Sequence, residues 1–116
     1  MILCSHVLEH VVDDRKAMRE LHRVLHPSGW ALIVVPIASR RDETFEDPAV
    51  LTPADRERVF GQADHVRIYG RDFKARLEEA GFTVSVEDYA RELGDVGARR
   101  YGLRPRRPNL HLCLKG

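Results

Sequence analysis

The sequence predicts an α/β protein whose centre is a strand–helix–strand unit near the amino terminus. An apolar run at residues 2–4 precedes a polar turn, and apolar residues then recur at helical spacing as far as Leu25. Pro27 and Gly29 end that helix, and residues 30–35 are apolar at every position, which is typical of a strand in a parallel sheet. Ligands of open α/β sheets bind beyond the carboxyl ends of the strands, so the turn after the first strand is the first candidate for a functional site.

The composition indicates a single domain. The 116 residues are 43% hydrophobic and 32% charged, and the formal net charge of +1 argues against a general polyanion binder. No apolar run reaches the length of a membrane span and no segment resembles a secretory signal, so we expect no membrane partner. Two cysteines, Cys4 and Cys113, are too few for a disulfide framework, and we therefore expect a cytoplasmic protein.

The first helix is predicted over residues 13–25. Asp13 or Asp14 can cap its amino terminus, and an acidic first turn suits the helix dipole. Five apolar residues are predicted to form its buried face: Ala17, Met18, Leu21, Val24 and Leu25.

The rest of the chain predicts a long connection, a helix and two strands. The connection, residues 37–69, contains a short helix capped by Thr52, and a connection of this length is more often a functional lid than filler. A second main helix is predicted over residues 71–80. Residues 82–86 and 110–114 alternate apolar and polar side chains, as strands with one wet face do. The predicted order is β-α-β-lid-α-β-β.

The irregular segment before the last strand is basic. It contains five arginines: Arg99, Arg100, Arg104, Arg106 and Arg107. Tyr101 is the one aromatic residue near them, whereas single-stranded nucleic acid is bound by grooves that combine basic and stacking aromatic side chains. An anionic substrate or RNA is an alternative, but we interpret the segment as a solvated loop and expect no nucleic-acid partner.

Several segments resemble the second half of class I S-adenosylmethionine-dependent methyltransferases of the type 11 kind. These segments are HVLEHV at residues 6–11 with the aspartates that follow, ELHRVLHPSG at 20–29, GQADHVRIYG at 61–70 and LEEAGF at 77–82. The resemblance covers nearly the whole chain. His26 stands where the family usually has lysine and Ser28 where it usually has glycine, and neither change alters the turn.

The resemblance implies a partial Rossmann-like methyltransferase sheet, made of the family's last four strands with the final strand antiparallel. It also implies that the helices lie mainly on one face of the sheet. The other face of strand 30–35 would then be bare, at a cost of about 25 cal/mol per Å² of exposed apolar area. The family's glycine-rich cofactor loop and ribose-binding acid are not in this sequence. We therefore expect residues 1–116 to be the carboxyl-terminal half of a methyltransferase domain.

The resemblance implies that Cys4, Ser5 and His6 bind the cofactor. They occupy the turn that in the family contacts the methionine moiety and sulfonium of S-adenosylmethionine, partly through the backbone. The alternative is that these residues only shape the turn.

A second group is predicted, by the same resemblance, to contact the substrate. His65, Arg67 and Tyr69 lie in the segment that returns beside the family's active site, and a histidine there can also accept a proton during transfer. The alternative is a hydrogen-bonded strut between the lid and the sheet. No catalytic residue is assigned, because methyl transfer mainly requires alignment of donor and acceptor.

Three functions remain open. The first is S-adenosylmethionine-dependent methyl transfer to an unidentified acceptor, with weak or no cofactor binding by the isolated chain. The second is a non-catalytic module whose bare sheet face pairs with another copy or with a complementary half. The third is a zinc hydrolase.

The zinc alternative rests on His6, Glu9 and His10, which match an H-x-x-E-H pattern in which Glu9 would act as the base. The match spans a strand-to-helix junction, so we expect no metal. In the simpler interpretation, Glu9 and His10 satisfy backbone groups where the helix begins.

Overall fold

The computed structural model describes residues 1–38, 40–87 and 110–115, so the basic segment with its five arginines lies outside the described residues. The elements in chain order are β1 (Ile2–Ser5), a 3₁₀ helix (Leu8–His10), α1 (Asp14–Val24), β2 (Trp30–Val34), β3 (Phe45–Glu46), α2 (Pro53–Phe60), β4 (Arg67–Ile68), α3 (Phe73–Glu79), β5 (Phe82–Glu87) and β6 (Leu110–Lys115). Among the described helices, none has the length and apolarity needed to cross a membrane.

Four strands form a mixed sheet in the order β1-β2-β6-β5. β1 and β2 are parallel, with Cys4 opposite Ile33. β6 is antiparallel to both of its neighbours, which places Cys113 between Ala31 and Val84. The α/β class and the antiparallel final strand are therefore confirmed.

Helix α1 is fixed at both ends by side chains. The carboxylate of Asp13 accepts a hydrogen bond of 3.0 Å from the backbone N–H of Lys16. At the other end, Lys115 Nζ of β6 donates to the carbonyl oxygens of Arg23 and Leu25, at 3.1 and 2.8 Å. These contacts satisfy backbone groups that a helix leaves without intrahelical partners.

The buried face of α1 differs from the prediction at one residue. Val24 is 58% exposed, whereas Met18 and Leu25 are buried. Val24 is the last residue of α1 and lies about 120° around the helix from Met18, at the edge of the apolar stripe that faces the sheet. The prediction that Val24 packs in the core is therefore wrong.

Helices α1 and α3 pack on the same face of the sheet, as predicted. Met18 of α1 and both Phe73 and Leu77 of α3 are completely buried in one core with Ala31 and Ile33 of β2. The central strand thus receives its helical cover from one side.

The opposite face of the sheet is only partly covered. Leu3 is 65% exposed, Leu114 47% and Trp30 42%. The strand register places Trp30 opposite Leu114 and Leu3 opposite Leu32, so these side chains form a continuous apolar surface. Val34, at the carboxyl end of the same face, is buried. The exposed face that the sequence predicted is present at the Trp30 end of β2 and absent at its other end.

The connection between β2 and α3 contains a strand pair that the sequence did not predict. β3 and β4 form a two-stranded antiparallel ribbon in which Phe45 lies opposite Ile68. The short helix in this connection is α2, and Thr52 Oγ1 accepts a hydrogen bond of 3.1 Å from the backbone N–H of Asp55. The predicted cap of this helix is therefore confirmed.

Candidate functional site

A cleft with a volume of about 500 Å³ opens beyond the carboxyl ends of the parallel strands β1 and β2. Its walls come from the 3₁₀ helix, the segment after β2, the end of α2 and strand β4, and include Glu9, Pro36, Phe60, His65, Arg67 and Tyr69. Ligand pockets have volumes of about 300–1,000 Å³, and open α/β sheets bind ligands at this edge. The cleft therefore has the size and the position of a binding site.

The turn after β1 lies at the same edge. Cys4 is buried with its side chain in the core, and burial together with the nearby Glu9 carboxylate raises the pKa of its thiol. Ser5 and His6 are both exposed. Of the three residues predicted to contact the cofactor, these two have side chains exposed to solvent.

His6 adopts an uncommon backbone conformation. Its φ is +55°, in the left-handed region, and its backbone N–H donates a hydrogen bond of 2.9 Å to the carbonyl oxygen of Val34. Histidine tolerates this region better than most residues, and such conformations cluster at functional sites. Nδ1 of the His6 ring lies 4.0 Å from Oε1 of Glu9, which is a residue of the cleft wall. Contact between Cys4, Ser5 or His6 and a cofactor stays a prediction.

Arg67, one of the predicted substrate contacts, is a buried residue of the cleft wall. Its guanidinium donates to the carbonyl oxygens of Leu8, Val11 and Val12, at 2.6, 2.6 and 2.8 Å. These three bonds tie β4 to the 3₁₀ helix and to the residues that follow it. Arg67 thereby holds the cleft wall in place, and its predicted contact with substrate stays a prediction.

Tyr69 is also buried, and it joins a cluster of charged side chains. Its hydroxyl donates a hydrogen bond of 2.6 Å to Oδ2 of Asp14, and Arg76 Nη1 lies 2.9 Å from the same oxygen. Arg76 reaches Glu46 of the ribbon at 3.2 Å, and Arg67 Nε lies 3.7 Å from Asp14. We refer to Asp14, Glu46, Arg67, Tyr69 and Arg76 as the buried ion network.

The network perturbs the ionisation of its members. Burial alone would raise the pKa of Asp14, but the hydrogen bond from Tyr69 and the charges of Arg67 and Arg76 outweigh it, so the pKa is lowered. Burial and the Asp14 carboxylate raise the pKa of Tyr69. The sequence predicts Asp14 only as a possible helix cap and does not predict the network, because no local pattern marks contacts between residues this far apart along the chain.

The prediction that Glu9 and His10 satisfy backbone groups holds for His10 and fails for Glu9. The Glu9 side chain is 3% exposed, and neither of its carboxylate oxygens has a hydrogen-bond partner among the described residues. Its Oε1 lies 3.3 Å from His10 Nε2, while His10 Nδ1 lies 3.0 Å from the carbonyl oxygen of Asp64. The expectation that Glu9 satisfies backbone groups is therefore wrong, since its carboxylate faces imidazole rings instead.

His65 completes this arrangement. Its ring stands edge-on to that of His10, with the centroids 4.7 Å apart. One ligand atom from each of Glu9, His10 and His65 lies within 4.8 Å of the others. The H-x-x-E-H pattern pointed to Glu9 and His10 but paired them with His6, which lies in the turn after β1. Only the folded chain brings His65 to them.

Comparison with known families agrees with this architecture. A family model for the methyltransferase domain matches residues 1–86, which include the parallel strands, the helices and the described cleft residues. A comparison with curated proteins finds no match. Because the family match covers well over half of the 116 residues, and the mixed sheet with its helices on one face is compatible with that fold, the chain belongs to the methyltransferase domain family.

Proposed function

We propose that this chain takes part in S-adenosylmethionine-dependent methyl transfer at the cleft beyond β1 and β2. The observation that carries the proposal is the position of the cleft: it opens at the carboxyl edge of the parallel strands, the edge at which Ser5 ends β1 and His6 follows it, both of them exposed. Membership of the methyltransferase domain family supports the same chemistry.

The residues at this edge fit the methionine end of the cofactor. The Ser5 hydroxyl and the His6 ring are exposed and can hydrogen-bond its amino and carboxylate groups, and the left-handed turn at His6 fixes their direction. When bound, S-adenosylmethionine supplies an activated methyl group whose bond to sulfur breaks as a bond to the acceptor forms, the acceptor losing its proton.

The chain's own contribution is alignment. The terminal guanidinium nitrogens of Arg67 and the hydroxyl of Tyr69 hydrogen-bond within the protein, so these residues form a rigid wall of the cleft. His65 lies on the same wall and is the candidate for contact with the acceptor. Methyl transfer gains most from such fixed placement of the acceptor, since the donor is already reactive.

Titration of the isotope-labelled chain with S-adenosylmethionine and with S-adenosylhomocysteine, followed by NMR, tests the proposal. We expect the amide signals of Ser5, His6 and Glu9 to shift, and those of Ser28 at the far end of β2 to stay in place. The family's glycine-rich loop is not in this sequence, so we expect the affinity to be weaker than micromolar. Absence of any shift at millimolar cofactor, or shifts confined to other surfaces, would contradict the proposal.

A second candidate function is association through the exposed sheet face. The apolar surface at Leu3, Trp30 and Leu114 favours it, because exposed apolar patches mark interaction sites. Its occupant would be a second copy of the chain or a complementary half-domain. Cys4 and Cys113 are free, buried thiols in the structure. Reduced cysteines suit the cytoplasmic setting that we propose for either function.

A further inference from the structure

We propose that Glu9, His10 and His65 form a binding site for a divalent transition-metal cation of the zinc class. Their carboxylate and imidazole groups converge to within 4.8 Å at the wall of the cleft. This set differs from the one suggested by the H-x-x-E-H pattern, because His65 replaces His6 and Glu9 acts as a ligand rather than as a base.

The Glu9 carboxylate is the strongest reason to infer a cation. Its side chain is only 3% exposed, and both oxygens lack a hydrogen-bond partner in the described part of the chain. A buried carboxylate without compensation is strongly unfavourable, so such groups are paired with a cation or bound to a metal. The nearest cationic candidates are the imidazole rings of His10 and His6, at 3.3 and 4.0 Å.

His10 is oriented as a metal ligand. The carbonyl oxygen of Asp64 can only accept a hydrogen bond, so His10 Nδ1, 3.0 Å away, carries the proton. In the neutral ring, Nε2 then holds a lone pair, and this nitrogen faces Oε1 of Glu9 at 3.3 Å. Two lone-pair atoms face each other favourably only with a proton or a cation between them. A backbone carbonyl that fixes the opposite ring nitrogen is the usual support of a metal-binding histidine.

The backbone holds the third ligand in register. The N–H of Val66 donates a hydrogen bond of 2.9 Å to the carbonyl oxygen of Glu9, which joins the segment containing His65 to the 3₁₀ helix. Arg67 strengthens the same junction through Leu8. These contacts fix the backbone positions of the three ligand residues relative to one another.

The donor set selects the class of cation. Two imidazoles and one carboxylate suit zinc, cobalt, iron or manganese better than calcium or magnesium, which prefer oxygen ligands. Tetrahedral zinc with bonds of about 2.0–2.1 Å places neighbouring ligand atoms about 3.3 Å apart. The observed distance between Glu9 Oε1 and His10 Nε2 is 3.3 Å.

Three protein ligands leave one coordination position open, as in catalytic zinc sites. Glu9 and His65 both line the cleft, so the open position faces it. Resting on the proposed function, we infer that a hydroxyl or thiol of the methyl acceptor coordinates there, where the cation lowers its pKa. Binding of the metal itself does not depend on methyl transfer.

Calorimetry with zinc chloride, on the chain freed of metal by a chelator, tests the site. We expect one zinc per chain, and an affinity lowered at least about tenfold by Glu9→Gln and by His65→Ala. His26→Gln is the matched control, since His26 is an exposed histidine in the turn before β2. The zinc affinity of this variant should equal that of the wild type. At the same zinc concentration, the melting temperature should also rise more in the wild type and in His26→Gln than in Glu9→Gln.

Two outcomes would overturn the site. The first is equal zinc affinity in the wild type, Glu9→Gln and His65→Ala. The second is loss of binding in His6→Ala with full binding in His65→Ala, which would return the site to the ligands of the H-x-x-E-H pattern. Cobalt offers an independent check, because a sulfur-to-metal absorption band would show that Cys4 or Cys113 binds the ion instead. Zinc binding without cofactor-induced shifts at Ser5 and His6 would support the metal site and contradict the proposed function. Cofactor-induced shifts without zinc binding would support the proposed function and contradict the metal site.

Discussion

The hydroxyl of Tyr69 donates a hydrogen bond of 2.6 Å to Oδ2 of Asp14, joining the segment after β4 to the first turn of α1. Both side chains are buried, and the same carboxylate receives Arg76 at 2.9 Å. This contact connects the wall of the cleft to the helix that covers the sheet. The shape of the cleft therefore depends on the stability of the buried ion network.

Replacing Asp14 by asparagine should destabilise the protein severely. The substitution leaves Arg67 and Arg76 buried with less compensating charge, and removal of one partner from a buried ion pair costs about 3–5 kcal/mol. Urea denaturation followed by circular dichroism measures the change in the free energy of unfolding. Asp55→Asn is the matched control. Asp55 pairs with Arg58 on the surface of α2, so this substitution should lower the free energy of unfolding much less. Equal losses in the two variants would contradict the role assigned to the network.

The same network predicts how stability depends on pH. The pKa of Asp14 is lowered in the folded state, so the stabilisation from its charge is complete above the unfolded pKa of about 3.9 and is lost as the pH falls through the folded pKa. We therefore expect the difference in unfolding free energy between the wild type and Asp14→Asn to be constant near neutral pH and to shrink below about pH 4. A difference that stays constant down to pH 2 would show that Asp14 gains no such stabilisation.

The contrast between predicted and unpredicted features has a physical basis. The helix cap at Thr52 and the end of α1 just before Pro27 are local, because the residues that determine them lie within one turn, and each could be read from the sequence. The pairing of Glu9 with His65 is different, since it depends on where β4 docks beside the 3₁₀ helix. β3 and β4 have two residues each, which is too short for any alternation to appear.

A steric test of the ribbon is available at Gly70. A Cβ at this position would lie 2.6 Å from both the carbonyl carbon and the carbonyl oxygen of Glu43. Both are backbone atoms, so they can move away only if the backbone itself shifts. Gly70→Ala should therefore displace the ribbon, at a cost of about 1–3 kcal/mol, and shift the NMR signals of Phe45 and Ile68.

Gly61→Ala is the control for the Gly70 variant. A Cβ at Gly61 meets nothing within 4 Å, but φ is +92°, so its cost is backbone strain of about 1–2 kcal/mol. Its spectral changes should be confined to the end of α2. Unchanged signals of Phe45 and Ile68 in Gly70→Ala would show that the ribbon accommodates the added methyl group without moving, which would contradict this prediction.

The thiols provide a test of core packing. Burial raises the pKa of Cys113 to about 12, and burial with the Glu9 carboxylate raises that of Cys4. Because the thiolate is the reactive form, both should react very slowly with a thiol reagent at pH 8 in the native protein and rapidly after denaturation in guanidinium. Absorbance of the released chromophore gives the rate. Rapid reaction of one native thiol would show that the corresponding part of the core opens readily.

The exposed sheet face is the surface through which we propose that the chain associates. Leu3, Trp30 and Leu114 offer a continuous apolar surface on the side of the sheet opposite α1 and α3. If this surface mediates association, light scattering should show a mass that rises with concentration, and Leu114→Glu should return it to that of a monomer, because pairing would bury the new charge. Leu51→Glu is the matched control, since Leu51 is equally apolar and 68% exposed but lies just before α2. A wild type that stays monomeric at high concentration, or a dimer that Leu114→Glu leaves intact, would exclude self-association through this face and leave a complementary half-domain as its remaining partner.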